Sequence, residues 1–151
     1  MDIEQQKHLV SEFYAGLSTA DLDRFLDAQC DDVSYNVAGK SPVSGNFQGK
    51  EFLRDEIVPQ VLGALDMATF EFAKKWKIMC ADGTRVVAFM EADGMAKSGK
   101  RYNQRYCHTF EFKDGKIGIV WEFFDDCLAA QALFGNGLVN TETEPEQPFE
   151  F

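Results

Sequence analysis

Four side chains in the second half of the chain carry groups able to move protons: Glu91, Tyr106, His108 and Glu122. Two carboxyl groups facing one dry pocket cannot both ionise cheaply, so one keeps its proton near neutrality while the other stays charged. Such a pair supplies an acid and a base, which suits addition of water, elimination or isomerisation, and His108 beside it offers a proton relay. The bland counterpart is a hydrogen-bonded group, Glu91 to Tyr106 and Gln104, that makes one part of a pocket polar and does no chemistry. A metal centre needs more convergent ligands than His108 with Glu91 and Glu122, so none is expected, and no cofactor is implied. There is no Gly-x-Ser-x-Gly or phosphate-loop motif, which leaves serine-hydrolase and nucleotide chemistry without support.

These residues need strands to hold them. Segments 69–79, 84–96, 101–112 and 116–125 read as four strands, separated by Ala81-Asp82-Gly83, Lys97-Ser98-Gly99 and Lys113-Asp114-Gly115, which have hairpin-turn composition. The first half reads as helical. Asp2 with Gln5 resembles a capping box, and Leu9, Val10, Phe13, Tyr14 and Leu17 form one apolar stripe. Ser18 and Asp21 suggest a second cap before Leu22, Phe25 and Leu26. A short strand is expected over 33–37, a loop over 39–45, and a third helix over 49–65 that Pro59 should kink. Helices first and an antiparallel meander after them mean an α+β fold, with the helices on one face of the sheet.

Turn lengths then decide which side chains meet. If Ser98-Gly99 is a two-residue turn, Glu91 falls opposite Tyr106, Asp93 opposite Gln104 and Phe89 opposite His108. The next turn leaves two readings open. A two-residue Asp114-Gly115 loop sets Tyr106 opposite Phe123; a three-residue Lys113-Asp114-Gly115 loop with a glycine bulge sets it opposite Glu122. Side chains alternate along a strand, so the two readings put Glu122 on opposite faces. Pattern alone favours burying Ile117, Ile119, Trp121 and Phe123 under the helices and exposing Glu122. The bulged reading aligns Glu91, Tyr106 and Glu122 on the covered face and leaves Trp121 and Phe123 as an outer apolar patch that needs a partner.

The segment Ser98-Gly-Lys-Arg-Tyr-Asn-Gln-Arg-Tyr-Cys-His-Thr-Phe-Glu-Phe-Lys-Asp-Gly-Lys-Ile, continuing to Val120-Trp-Glu-Phe-Phe-Asp125, resembles the last hairpin of the NTF2-like superfamily, in its SnoaL-like and limonene epoxide hydrolase-like branches. Leu17-Ser-Thr-Ala-Asp-Leu-Asp, Asp31-Asp32-Val33 and Pro42-Val43-Ser44-Gly45 resemble the ketosteroid isomerase-like start of the same superfamily, so the likeness covers about residues 5–134. It implies a cystatin-like cone, a curved antiparallel sheet wrapped around three N-terminal helices, enclosing a conical pocket and dimerising through the outer sheet face. That favours the bulged reading, with Ile117, Ile119, Trp121 and Phe123 at a homodimer contact. In epoxide hydrolase-like relatives an Arg-x-Asp pair and an acid on the last strand activate water. Those positions are similar to Phe89-Met90-Glu91 and Glu122 here, so both acids are kept as Glu while Phe89 stands for the arginine. A water-holding tyrosine of the first strand is matched by Tyr35, and its companion asparagine position falls on Val37. The ketosteroid isomerase-like set places its hydroxyl donor on Phe13, its base on Val37 and its acid donor on His108, and valine cannot serve as a base.

The resulting expectation is a pocket protein for a small, largely apolar molecule. Glu122 or Glu91 acts as base with the other as acid, and His108 lies nearby. Tyr35, Tyr106, Gln104 and Asp93 orient the ligand against a wall of Phe89, Phe124 and Phe13. The rival is a non-catalytic ligand-binding or assembly module on the same fold. Composition narrows the partners. The 151 residues carry 15 Lys and Arg against 25 Asp and Glu, a net charge of −10, which argues against nucleic acid and anionic membrane surfaces. No apolar run approaches the ~18 residues that cross a bilayer, and the polar N-terminus does not read as a signal sequence. Four widely spaced cysteines read as free thiols in a reducing cytoplasm. One domain is expected over 1–135, followed over 136–151 by an acidic tail with Pro145 and Pro148.

Overall fold

The protein is described by a computed structural model covering residues 1–137; all but the first two residues of the expected acidic tail lie outside the described residues. Helix α1 (Ile3–Thr19) starts in the expected capping box, with Asp2 and Gln5 bonding each other's backbone N–H groups, and buries Val10, Phe13 and Tyr14 from its apolar stripe. Helix α2 (Leu22–Asp27) is capped by Asp21 and folds back on α1. Gly16 makes that crossing possible, since a Cβ there would lie 2.5 Å from the Phe25 backbone nitrogen.

Strands β1 (Gln29–Val37) and β2 (Gly45–Gln48) follow as an antiparallel pair, β2 being a short strand for which the sequence carried no signal. The loop between them is held by Asp126, which accepts from the Lys40 and Ser41 backbone N–H groups and the Ser44 hydroxyl. The expected third helix is built as α3 (Lys50–Phe52), a π-helical turn (Leu53–Ile57) and α4 (Val58–Ala64). Pro59 has no N–H to give the helix ladder, and the wide turn just before it absorbs that break without ending the helix. Strands β3 (Glu71–Ala81), β4 (Arg85–Asp93), β5 (Gln104–Lys113) and β6 (Lys116–Phe124) form the meander, and a C-terminal helix α5 (Asp126–Phe134), absent from the sequence reading, closes the described chain.

The six strands make one curved sheet in the order β2-β1-β6-β5-β4-β3. Every neighbouring pair is antiparallel except β1 with β6, which run parallel. The helices lie on one face, and the core between them holds Val10, Phe13, Tyr14, Val86, Phe110 and Val120, all essentially buried. This is the expected α+β layering. None of the four cysteines is in a disulfide. No helix among the described residues is long and apolar enough to cross a membrane.

Both turn-based registers differ from expectation. The β4–β5 hairpin turns on three residues, 97–99, with Ala96 N–H bonded to Lys100 O, and this moves the pairing by one. Met90 therefore faces Tyr106, Ala88 faces His108 and Ala92 faces Gln104, while Phe89 and Glu91 point to the outer face. The β5–β6 turn is the two-residue loop, with Lys113 paired to Lys116, but the ladder slips by one between Glu111 and Phe112. The extra residue is Gly118, where a Cβ would meet the Lys113 Cβ at 2.8 Å. The bulge reverses the alternation between Ile117 and Ile119. Ile117, Val120, Glu122 and Phe124 consequently face inward, and Ile119, Trp121 and Phe123 face outward.

Candidate functional site

The cone between the sheet and the helices contains a cavity of about 210 Å³. That exceeds the ~150 Å³ that accommodates a benzene ring and falls short of the ~300 Å³ typical of the smallest drug-sized pockets, so it suits a compact molecule of one ring or two. Its walls are mostly apolar: Phe13, Leu17 and Phe25 from α1 and α2, Phe47 from β2, Leu53, Ile57 and Val61 from the third helix, and Phe72, Met90 and Phe124 from the sheet. The polar groups are few and concentrated: Glu122, His108, Tyr35, Tyr102 and Tyr106, with Asp21 at the N-cap of α2.

Glu122 and His108 are directly opposite on neighbouring strands, and His108 Nε2 lies 2.9 Å from Glu122 Oε2. Both line the cavity, and the imidazole is 2% exposed at its side chain against 20% for the carboxylate, so Glu122 is the more accessible of the two. On the ring's other side, the Tyr14 hydroxyl is 2.9 Å from Nδ1. Burial raises the Tyr14 pKa far above that of an ordinary phenol, and the negative charge of Glu122 adds to the effect, so the phenol keeps its proton. Among the described residues that O–H has no acceptor other than Nδ1. It therefore donates to Nδ1, which makes Nε2 the protonated nitrogen and aims its N–H at Glu122. Glu122 Oε1 makes no hydrogen bond among the described residues, and Glu122 lines the cavity.

Beside this chain the Tyr106 ring stacks on His108, with centroids 5.7 Å apart and planes 4° from parallel. Its hydroxyl is 3.1 Å from that of Tyr102. Burial pushes the Tyr102 pKa up to about 12 and raises that of Tyr106 well above the usual phenol value, so both remain hydrogen-bond donors at neutral pH. The pair uses one of its two O–H hydrogens internally and can offer the other to a ligand.

The structure brings together only part of the expected constellation. Glu122, His108, Tyr106, Tyr35, Phe124 and Phe13 all line the cavity. Tyr35 does so with its ring, because its hydroxyl donates to Gln29 Oε1 at 2.6 Å. Glu91 is elsewhere: it lies exposed on the outer face, 3.7 Å from Arg105, and is no partner for Glu122. Phe89 is on that same face and 50% exposed, so it builds no pocket wall. Asp93 is gripped by Nε and Nη2 of Arg101, each at 2.8 Å, and this hydrogen-bonded guanidinium holds its pKa down at about 2. Gln104 is buried but engaged with the Asp125 backbone, where it joins β5 to the end of β6. One residue in the β4–β5 turn accounts for these displacements on β4. Tyr14 and Tyr102 were not expected in the site. Tyr14 did leave a signal, since a tyrosine inside an otherwise aliphatic and phenylalanine stripe must find a partner for its hydroxyl. No group of His, Cys, Asp or Glu among the described residues has the convergence a metal ion requires.

Comparison with curated protein sequences found no match. Solved structures match over most of their length. Bal32a, from a soil-derived mobile gene cassette, is 25% identical over 87% of this chain and 97% of its own, with a TM-score of 0.72. An NTF2-like protein from Burkholderia thailandensis is 20% identical over 87% and 98%, with a TM-score of 0.73. TerC, crystallised with polyporic acid, is 21% identical over 85% and 98%, with a TM-score of 0.70. The family model of the SnoaL-like domain matches residues 10–118, which run from the middle of α1 to the bulge of β6. With that match over most of the chain, and with the cone, the six-stranded sheet and the cavity between sheet and helices behind it, the fold is NTF2-like and the protein belongs to the SnoaL-like domain family.

Proposed function

We propose that the protein binds a small, largely apolar molecule in the cone and transfers a proton on it, with Glu122 as the base. The observation that carries this reading is a carboxylate oxygen, Glu122 Oε1, with no hydrogen bond among the described residues, at a cavity wall that is otherwise almost wholly apolar. A carboxylate oxygen so placed is within reach of a bound C–H, O–H or N–H acid and is positioned to take its proton. The His108 N–H fixes the other oxygen, Tyr14 fixes the tautomer of His108, and the Tyr102–Tyr106 pair donates to a ligand oxygen as charge builds on it. The acid partner is thus a phenol pair in place of a second carboxyl group. This supports isomerisation, ring closure or water addition without a metal. TerC's polyporic acid is a precedent for a small organic molecule in the same fold.

The test is turnover of a panel of compact enones, ketones and epoxides, with and without an amino substituent, followed across pH. Conversion that depends on the cone residues supports the proposal. Saturable binding of panel members with no conversion at any pH assigns the protein instead to ligand binding alone.

A second element of the proposal concerns assembly. On the outer face Phe89, Cys107 and Phe123 stand in register across β4, β5 and β6, with Trp121 and Ile119 alongside; Phe89 is 50% and Phe123 39% exposed. Two copies related by a two-fold axis can bury this self-complementary stripe. Ile117 takes no part, because the bulge at Gly118 turns it into the core. Light scattering at micromolar concentration is expected to give a dimer, and Phe123→Asp a monomer; a monomeric wild type removes the assembly.

A further inference from the structure

The charge of the cavity is one-sided. Asp21 and Glu122 are its only lining residues with a formal charge at neutral pH, both are acids, and no lysine or arginine lines it among the described residues. Asp21 is committed to capping α2, where its Oδ1 accepts the Arg24 backbone N–H at 3.0 Å. Glu122 has one oxygen engaged by His108 and one open to the cavity. Because Tyr14 donates to Nδ1, the one His108 N–H in this arrangement is the one directed at Glu122. The rest of the wall is largely apolar and includes five phenylalanines, Phe13, Phe25, Phe47, Phe72 and Phe124. A partly buried carboxylate without a cation is costly, and aromatic faces attract positive charge.

We infer that the ligand of this cavity carries a protonated amine on a compact apolar body, with the ammonium group at Glu122 Oε1 and the hydrocarbon part among the phenylalanines. Anions are rejected, because Glu122 repels them and no lysine or arginine among the described residues lines the cavity to answer them. Neutral isosteres keep the apolar contact and lose the charge-assisted hydrogen bond. The inference rests on the cone being a ligand site, as proposed above, and does not require turnover there.

The experiment is titration calorimetry of the full chain at neutral pH with benzylamine, benzyl alcohol and benzoate, three probes of one shape and different charge. Benzylamine is expected to bind about tenfold or more tightly than benzyl alcohol, since hydrogen bonds to charged groups outweigh neutral ones by that order, and benzoate to show no binding. Glu122→Gln, nearly isosteric, should bring the amine to within about twofold of the alcohol. The alcohol's own affinity in that variant is the control for a correctly folded cavity. Equal or tighter binding of the alcohol in the wild type, or an amine preference that survives Glu122→Gln, overturns the inference while leaving the cone as a ligand site. Failure of all three probes to bind overturns the inference and the proposed ligand site together.

Discussion

Glu122→Gln is expected to lower turnover of any compound the protein converts by about 10²–10⁴-fold, the usual contribution of a positioned general base. The fold should survive, because the amide fills the same volume, and its oxygen can still accept from His108 Nε2, the partner 2.9 Å away. A thermal melt within a few degrees of wild type together with a collapsed kcat is the predicted signature; unchanged kcat removes Glu122 from the chemistry. Tyr14→Phe makes an informative comparison. It deletes the donor to Nδ1 at 2.9 Å and releases the ring to adopt either tautomer, without touching the cavity wall. Its loss should be smaller, confined to kcat and accompanied by a changed pH profile, since what it controls is which nitrogen of His108 faces the carboxylate.

Phe110→Ala is expected to be the most destabilising of the conservative core truncations around the site. Phe110 is completely buried and meets Phe13 edge-on at 5.1 Å, Tyr14 at 5.9 Å and His108 at 5.6 Å. Deleting its ring leaves a void beneath the whole proton-handling group, at a cost of about 3–5 kcal/mol for a phenylalanine of this burial. For a domain of this size that is a fall in Tm on the order of 10 °C. A loss under about 1 kcal/mol by denaturant titration would mean that the site collapses freely, contrary to the rigidity that the proposed alignment of Tyr14, His108 and Glu122 requires.

The meander and α1 were legible because their signals are local and redundant. The capping box at Asp2 and Gln5, the stripe through Val10, Phe13 and Tyr14, and three turn clusters each report on a few adjacent residues. Strand β2 and helix α5 were not. Neither has a strong period of its own, and each is held by long-range bonds: β2 by its ladder to β1, and α5 partly by Ser98 donating to Ala132 O. The candidate site divided along the same line. His108 and Tyr106 share a face by simple alternation on β5, and that followed from spacing alone. Whether Glu91 or Met90 stands beside them depends on one residue in a turn, which closes on three residues and not on two.

The case of Glu122 is the most instructive. The sequence alone posed a choice between burying Ile117 and burying Glu122, five positions apart and so on opposite faces of any regular strand. The folded chain buries the first completely and turns the second into the cavity by inserting Gly118 as a bulge. Amino-acid order by itself determined the α+β class, the principal helix and strands, the acidic surface and the presence of a carboxylate, an imidazole and phenols near the last hairpin. Only the tertiary structure decided which of them meet. Periodicity is a property of neighbouring residues and carries over into space only while the ladder is unbroken, whereas register is set by close packing between strands distant in sequence, where a missing Cβ at one position can reverse every side chain beyond it.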